Sequence, residues 1–201
     1  PGRAERWSGD RRVLEALKDG VLFRPLERTL AVDAAAVIRP RLDGENVALA
    51  LGRACRHEGK GYNFDFDFFR SDRLVCTEVV YRAYDGLGGI SIPLRERSGR
   101  PTLSADDLVD LALQRHGFDP VAVGGLFEGG VVAGSGARRL LVENARRAEG
   151  DAAVTIFSPF GALSRNNEMI LLRLEKRSTP SPDGIPYFHF SKLRDALLLG
   201  M

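Results

Sequence analysis

The chain has 201 residues, of which 44% are hydrophobic and 28% are charged, and this composition is typical of a folded globular protein. It excludes a wholly disordered chain, a collagen and a coiled-coil rod. The 29 lysines and arginines nearly balance the 27 aspartates and glutamates, which gives no electrostatic reason to expect nucleic acid as a partner. The longest apolar runs fall far short of the roughly 20 residues that cross a bilayer, so we expect no membrane span. No signal segment opens the sequence, which favours a cytoplasmic location.

The cysteines and histidines give no sign of a disulfide scaffold or of a metal centre. The two cysteines, Cys55 and Cys76, are too few for a disulfide framework. The three histidines, His57, His116 and His189, are widely spaced and form no zinc-ligand pattern. We therefore expect no cofactor.

Hydrophobic periodicity predicts the secondary structure of the first half of the chain. Alternating or β-branched runs predict strands, and apolar residues spaced by three or four predict helices. The predicted strands cover 12–16, 21–26, 35–39 and 62–69, and the predicted helices cover 46–56 and 75–84. Because strands and helices are grouped rather than strictly alternating, the pattern favours an α+β fold over a doubly wound sheet.

The second half combines helices with short apolar runs. The predicted helices cover 105–116 and 137–149, with a short closing helix at 190–199, and the predicted strands cover 154–157, 169–174 and a hairpin within 121–132. A segment rich in proline and serine at 177–186 predicts a linker or a long loop. We interpret 1–100 as a core and 101–201 as a C-terminal extension that is not clearly a separate domain.

Cys76 is singled out by its position. It follows a loop and lies in the first turn of the predicted helix 75–84. Backbone N–H groups at a helix N-terminus lack partners and carry partial positive charge, which stabilises both a thiolate and an oxyanion on a carbonyl under attack. Cys76 is therefore a candidate nucleophile, and the alternative is a small apolar residue that fills the core. Cys55 lies inside the preceding predicted helix and lacks this setting.

The residues around Cys76 form a spaced motif of a tyrosine-containing strand, a short loop, and a helix that begins with the cysteine. Its members are Tyr62, Asn63, Phe64, Cys76, Thr77, Glu78, Val80, Tyr81, Ala83 and Tyr84. This motif resembles the YiiX-like group of circularly permuted papain-fold cysteine hydrolases, relatives of the NlpC-type cell-wall peptidases. Asn63 and Thr77 depart from the aspartate and the serine of the family pattern. Upstream, 13–16 resembles the family's Val-Ile-Glu-Ala strand, and the resemblance covers about residues 11–95.

The resemblance implies an α+β, permuted papain-like core in which an antiparallel sheet packs on the helix that carries Cys76. It also implies an acyl-enzyme at Cys76, formed from an amide of a small amino acid, a peptide or a cell-wall peptide and resolved by water. An amidase or peptidase is the first interpretation. The alternatives are an acyl transferase or lipid hydrolase of the same fold, and a binding module that has lost the catalytic histidine.

The general base and the residue that orients it are the members of the site that the sequence leaves unassigned. In the family pattern a histidine lies on a strand upstream of the glutamate strand, and the glutamate, Glu15 here, points toward it. No histidine precedes His57 in this sequence, so we expect that the histidine either lies before Pro1 or is lost, which would leave a weak hydrolase. His57, at the end of a predicted helix, is a candidate replacement base. The alternatives are an exposed strand carboxylate at Glu15 and a solvent-facing helix end at His57.

Four further residues are candidates for support of the pocket or of the helix start. Glu78 lies in the first turn of the predicted helix, where a carboxylate stabilises the N-terminus. Tyr81 follows Cys76 by five residues, so at 100° per residue it does not closely share the face of the cysteine. Tyr62 and Thr77 are included because they match the family motif.

Overall fold

The structure is a computed structural model, and it describes residues 11–32, 34–124, 130–149, 169–176, 188–189 and 196–198. The strands are β1 (Arg11–Leu17), β2 (Gly20–Pro25), β3 (Ala34–Pro40), β4 (Gly61–Tyr62), β5 (Arg73–Leu74), β6 (Arg95–Arg97), β7 (Arg100–Thr102), β8 (Phe118–Gly124), β9 (Val131–Ala133), β10 (Met169–Lys176), β11 (Phe188–His189) and β12 (Ala196–Leu198). The helices are α1 (Leu26–Thr29), α2 (Gly44–Cys55), α3 (Cys76–Tyr84), α4 (Ala105–Leu113) and α5 (Ser135–Glu149). Among the helices described here, none is long and apolar enough to cross a membrane.

The main sheet is antiparallel and combines strands from both halves of the chain. Its strand order is β2-β1-β12-β10-β3-β8-β9, with β11 paired to the end of β10. Two short pairs lie outside it: β4 with β5, which are parallel, and β6 with β7, which form a hairpin. Helices and a largely antiparallel sheet make the described part of the chain an α+β structure. Because β10 and β12 lie between β1 and β3, the boundary that we predict near residue 100 does not divide the sheet.

The two faces of the sheet carry separate apolar clusters. Leu14 and Ala16 of β1 pack in one cluster with Val79 of α3, so this face carries the helix that begins with Cys76. Val13 belongs to a second cluster, formed with residues of β3 and β8 on the opposite face. This division follows from the strand itself, since neighbouring side chains of a strand point to opposite faces. Helix α2 packs beside α3.

Two sequence predictions fall differently in the structure. The predicted strand 62–69 is a strand only at Gly61–Tyr62, and the residues after it form a loop. Asn63 explains this, because its side chain donates to the carbonyl of Asp67 (2.8 Å) and accepts from the N–H of Asp65 (3.2 Å), contacts that compete with a strand ladder. The predicted closing helix 190–199 is wrong at Ala196–Leu198, where the backbone pairs with β1 and β10 instead. The predicted strand 154–157 and loop 177–186 lie outside the described residues.

Candidate active site

Cys76 lies at the start of a helix, as the sequence predicts, and the structure places it beside a cavity. It is the first residue of α3, its side chain is 5% exposed, and it lines a cavity of about 510 Å³ together with Thr77. The residue before it, Val75, is extended and has no side chain that can cap the helix. The first N–H groups of α3 therefore lack a partner inside the helix, as helix geometry requires, and the residues at this end of the helix line the cavity. A nucleophile placed here has partial positive charge beside it.

Glu78 and Arg82 hold the first turns of α3 together. Glu78 is fully buried, and its Oε2 accepts the N–H of Val75 at 3.4 Å. Arg82 binds the other carboxylate oxygen, Oε1, and donates to it from Nε (2.9 Å) and Nη2 (2.6 Å). Burial raises the pKa of the Glu78 carboxyl, while the Arg82 charge, the Val75 N–H and the Asn63 amide act in the opposite direction. The Glu78–Arg82 ion pair and the hydrogen bond to Val75 therefore hold the start of α3 in place.

The same arginine anchors the loop that borders the cavity. Arg82 Nη2 donates to the carbonyls of Phe68 (3.0 Å) and Arg70 (2.7 Å), so its side chain joins α3 to the loop 63–72. The loop places Phe66 on the cavity wall, with a left-handed backbone at φ 53°. Tyr62 packs edge-on against Phe66 with ring centroids 6.5 Å apart. Tyr62 therefore supports the cavity wall indirectly.

A hairpin that sequence reasoning missed forms the other side of the cavity. Strands β6 and β7 pair antiparallel, and the turn residues Ser98 and Gly99 have φ of 53° and 72°, as a type I′ turn requires. Residues of this hairpin and of the start of α4 line the cavity: Arg97, Ser98, Arg100, Thr102, Leu103, Ser104 and Ala105. The Ser98-Gly99 dipeptide between two short polar runs is the sequence signal that would have indicated it.

Glu15 lies on the opposite face of the sheet from Cys76. It shares a face with Val13, whereas its neighbours Leu14 and Ala16 pack on the side of α3. Its fully buried carboxylate forms an ion pair with Arg24 of β2, with Oε2 and Nε 3.2 Å apart, and Arg24 also binds Asp19 at 2.6 Å. The predicted orientation toward the catalytic site is therefore not found, and neither is the alternative of an exposed carboxylate.

We expect Glu15→Gln to lower the free energy of unfolding by about 1–3 kcal/mol, because the buried charge of Arg24 loses its ion-pair partner inside the sheet. Any amide turnover stays unchanged, since the side chain faces away from Cys76. Urea unfolding and a turnover assay on the same preparations check both parts. Asp19→Asn, at a half-exposed partner of Arg24, is the control, with a loss below about 1 kcal/mol. Lost turnover at unchanged stability would contradict this placement and indicate that Glu15 takes part in catalysis.

His57 and Tyr81 lie in a second cavity. This cavity of about 390 Å³ is lined by Arg53, Arg56, His57, Tyr81, Arg82 and Asp85, and none of these residues lines the cavity of Cys76. Burial lowers the pKa of His57 to about 4, and the nearby charges of Lys60, Arg82 and Arg56 act in the same direction. Burial also raises the pKa of Tyr81, and the nearby carboxylate of Asp85 acts in the same direction. The structure thus does not bring His57 or Tyr81 to the candidate nucleophile.

The pH dependence of stability tests the environment of His57. Because its folded pKa of about 4 lies below the unfolded value of 6.5, the unfolded chain binds the extra proton, and stability falls as the pH drops from 6.5 toward 4. We expect His57→Gln to remove this part of the loss and to leave amide turnover unchanged. Urea unfolding at pH 7 and pH 4.5 measures it, with His116→Gln at an exposed histidine as the control. An unaltered pH profile, or turnover abolished by His57→Gln, would contradict this placement.

No metal centre is found among the described residues, where no group of three or more histidine, cysteine, aspartate or glutamate side chains converges. Comparison of the chain with protein-family models, with curated proteins and with solved structures finds no match. The chemistry of the site is that of a cysteine thiol outside any disulfide, at a helix start, beside a cavity of about 510 Å³ whose lining residues include serines, threonines and arginines.

Proposed function

We propose that this chain is a thiol-dependent amidase or peptidase with Cys76 as its nucleophile, built on a permuted papain-like core. The observation that carries the proposal is the position of Cys76 as the first residue of α3, on the wall of a cavity of about 510 Å³. A buried structural cysteine needs neither a helix start nor a cavity, whereas a nucleophile that attacks a carbonyl uses both.

The chemistry is two acyl transfers. The Cys76 thiolate attacks the amide carbon, a C–S bond forms, the C–N bond breaks, and the amine leaves after its nitrogen takes up a proton. Water then attacks the thioester, which releases the carboxylic acid and returns the thiol. The N–H groups at the start of α3 would stabilise the oxyanion of each tetrahedral intermediate. The family resemblance implies a histidine for the proton transfers, and none is present among the described residues that line this cavity.

A second candidate function is transfer or hydrolysis of a lipid acyl group. The observation that favours it is the exposure of three phenylalanines on the loop beside the cavity, with Phe64 65%, Phe66 53% and Phe69 77% exposed. Exposed aromatic side chains in one loop provide an apolar surface on which an acyl chain would pack. An ester or thioester substrate also releases a better leaving group than an amine, so it depends less on a general acid.

Product analysis separates these functions. The chain is incubated with matched amides and esters of short and long acyl groups, with and without an added amine or alcohol acceptor. We expect acid and amine in equal amounts from short-chain amides, whatever acceptor is present. Products that carry the acceptor, or turnover confined to long-chain esters, would favour the acyl transferase or lipid hydrolase. Absence of any turnover and of any labelling by an iodoacetamide probe would leave only the binding module.

A further inference from the structure

The residues that line the cavity of Cys76 include two positive charges and one negative charge. Its charged lining residues are Asp65, Arg97 and Arg100. Arg97 is held by Asp107, a buried carboxylate 2.8 Å away, and by the hydroxyl of Ser104 at 3.3 Å. This arginine has a structural task, because it fixes the β6–β7 hairpin to the start of α4. Asp107 also pairs with Arg95, 3.1 Å away, so one carboxylate binds both arginines.

Asp65 also has a partner outside the cavity. Its carboxylate lies 3.6 Å from Arg70 in an exposed ion pair, so its negative charge is partly offset along the loop. Arg100 is different: its guanidinium donates through Nη1 to the backbone carbonyl of Asp65, and it forms no ion pair with any carboxylate in the part of the chain described here. A guanidinium has five N–H donors, so most of them are available for a ligand.

The hairpin holds Arg100 in a defined place. Arg100 begins β7 directly after the type I′ turn and pairs with Arg97, whose own side chain is fixed by Asp107. Ser98 and Thr102 line the same cavity, and the Thr102 hydroxyl is bonded within the hairpin, where it donates to the carbonyl of Arg95 (3.3 Å). A planar, permanently charged fork on a fixed hairpin suits two-point binding of a carboxylate.

We propose that Arg100 is a specificity-determining residue and that the amides taken by this cavity carry a free carboxylate, as N-acyl amino acids and short peptides do. The proposal rests on the proposed hydrolase function, because Cys76 supplies the reaction and Arg100 selects the substrate. Phe66, which lines the same cavity, provides an apolar surface for the uncharged part of the molecule.

The kinetic test uses substrate pairs that differ only in charge. N-benzoylated amino acids and their carboxamides place the carboxylate on the amine side, and succinic monoanilide with butyranilide places it on the acyl side. We expect one of the two carboxylates to be preferred at least about 10-fold in kcat/KM. Arg100→Ala would raise KM for that substrate about 10- to 100-fold with little change in kcat and abolish the preference, and Arg100→Lys would restore part of it. Lys18→Ala, which removes a positive charge from an exposed turn, is the matched control and would change neither.

A binding measurement keeps this inference separate from the hydrolase proposal. In Cys76→Ala protein, which cannot react through the thiol, calorimetry compares the same carboxylates and their uncharged counterparts, with and without Arg100→Ala. Tighter binding of a carboxylate that is lost in Arg100→Ala supports the anion site even if wild type hydrolyses nothing. Equal or absent binding of the carboxylate and its uncharged counterpart, or a preference that survives Arg100→Ala, would overturn the assignment of Arg100.

Discussion

Replacing Cys76 by alanine is expected to lower amide turnover by at least about 10³-fold, because the only other nucleophilic side chain of α3 that lines the cavity among the described residues, the Thr77 hydroxyl, is a much weaker nucleophile than a thiolate. The fold should tolerate the change, since alanine keeps the small side chain that packs between the cavity and the apolar face of α3. Steady-state hydrolysis of the preferred amide measures the loss, and urea unfolding of both proteins shows whether the fold is intact.

Cys55 is the matched control for this prediction. It is the other cysteine of the chain, half-buried at the end of α2, and it does not line the cavity of Cys76. We expect Cys55→Ala to retain wild-type turnover, and iodoacetamide to label Cys76 faster than Cys55 at pH 6. Equal turnover in the Cys76→Ala and Cys55→Ala variants would contradict the assignment of the nucleophile, as would faster labelling of Cys55.

Replacing Arg82 by alanine is expected to lower the free energy of unfolding by about 3 kcal/mol. The change would leave the fully buried carboxylate of Glu78 without its positively charged partner. It would also remove hydrogen bonds to the carbonyls of Phe68 and Arg70. Because those carbonyls belong to the loop that borders the cavity, KM should rise as well. Urea unfolding monitored by circular dichroism measures the stability, and substrate titration measures KM.

Two further variants show whether the unpaired charge of Glu78 causes this loss of stability. Glu78→Gln combined with Arg82→Ala removes the charge, so the double variant should be more stable than Arg82→Ala alone. Arg70→Ala disrupts only exposed ion pairs and should cost less than about 1 kcal/mol. A double variant no more stable than Arg82→Ala, or a loss below 1 kcal/mol in Arg82→Ala itself, would contradict the network described for α3.

Local patterns in the sequence predict the elements that depend on nearby residues. Helix α3 and the position of Cys76 at its start follow from the apolar spacing of 75–84 and from the loop before it. The hairpin of β8 and β9 follows from its glycine-punctuated apolar runs. Tyr81 is predicted to lie away from the face of Cys76 by helix geometry, and it lines the other cavity.

Features that depend on distant partners were not predictable in this way. The sequence indicates that Glu15 lies on a strand, but which face of that strand receives α3 is decided by the packing of the whole sheet. Arg100 lines the cavity of Cys76 only because the hairpin and the start of α4, more than twenty residues further along the chain, meet the start of α3 at that cavity. The side-chain bonds of Asn63 override an aromatic alternation that otherwise indicates a strand.

The covalent intermediate is the most direct test of the account. The protein is mixed with excess of its preferred substrate, quenched in acid within milliseconds, and analysed by intact-mass and peptide mass spectrometry. The account predicts a mass increase equal to one acyl group, located on Cys76, lost on longer incubation and absent from Cys76→Ala. Turnover without any acyl adduct, or an adduct on a residue other than Cys76, would contradict it.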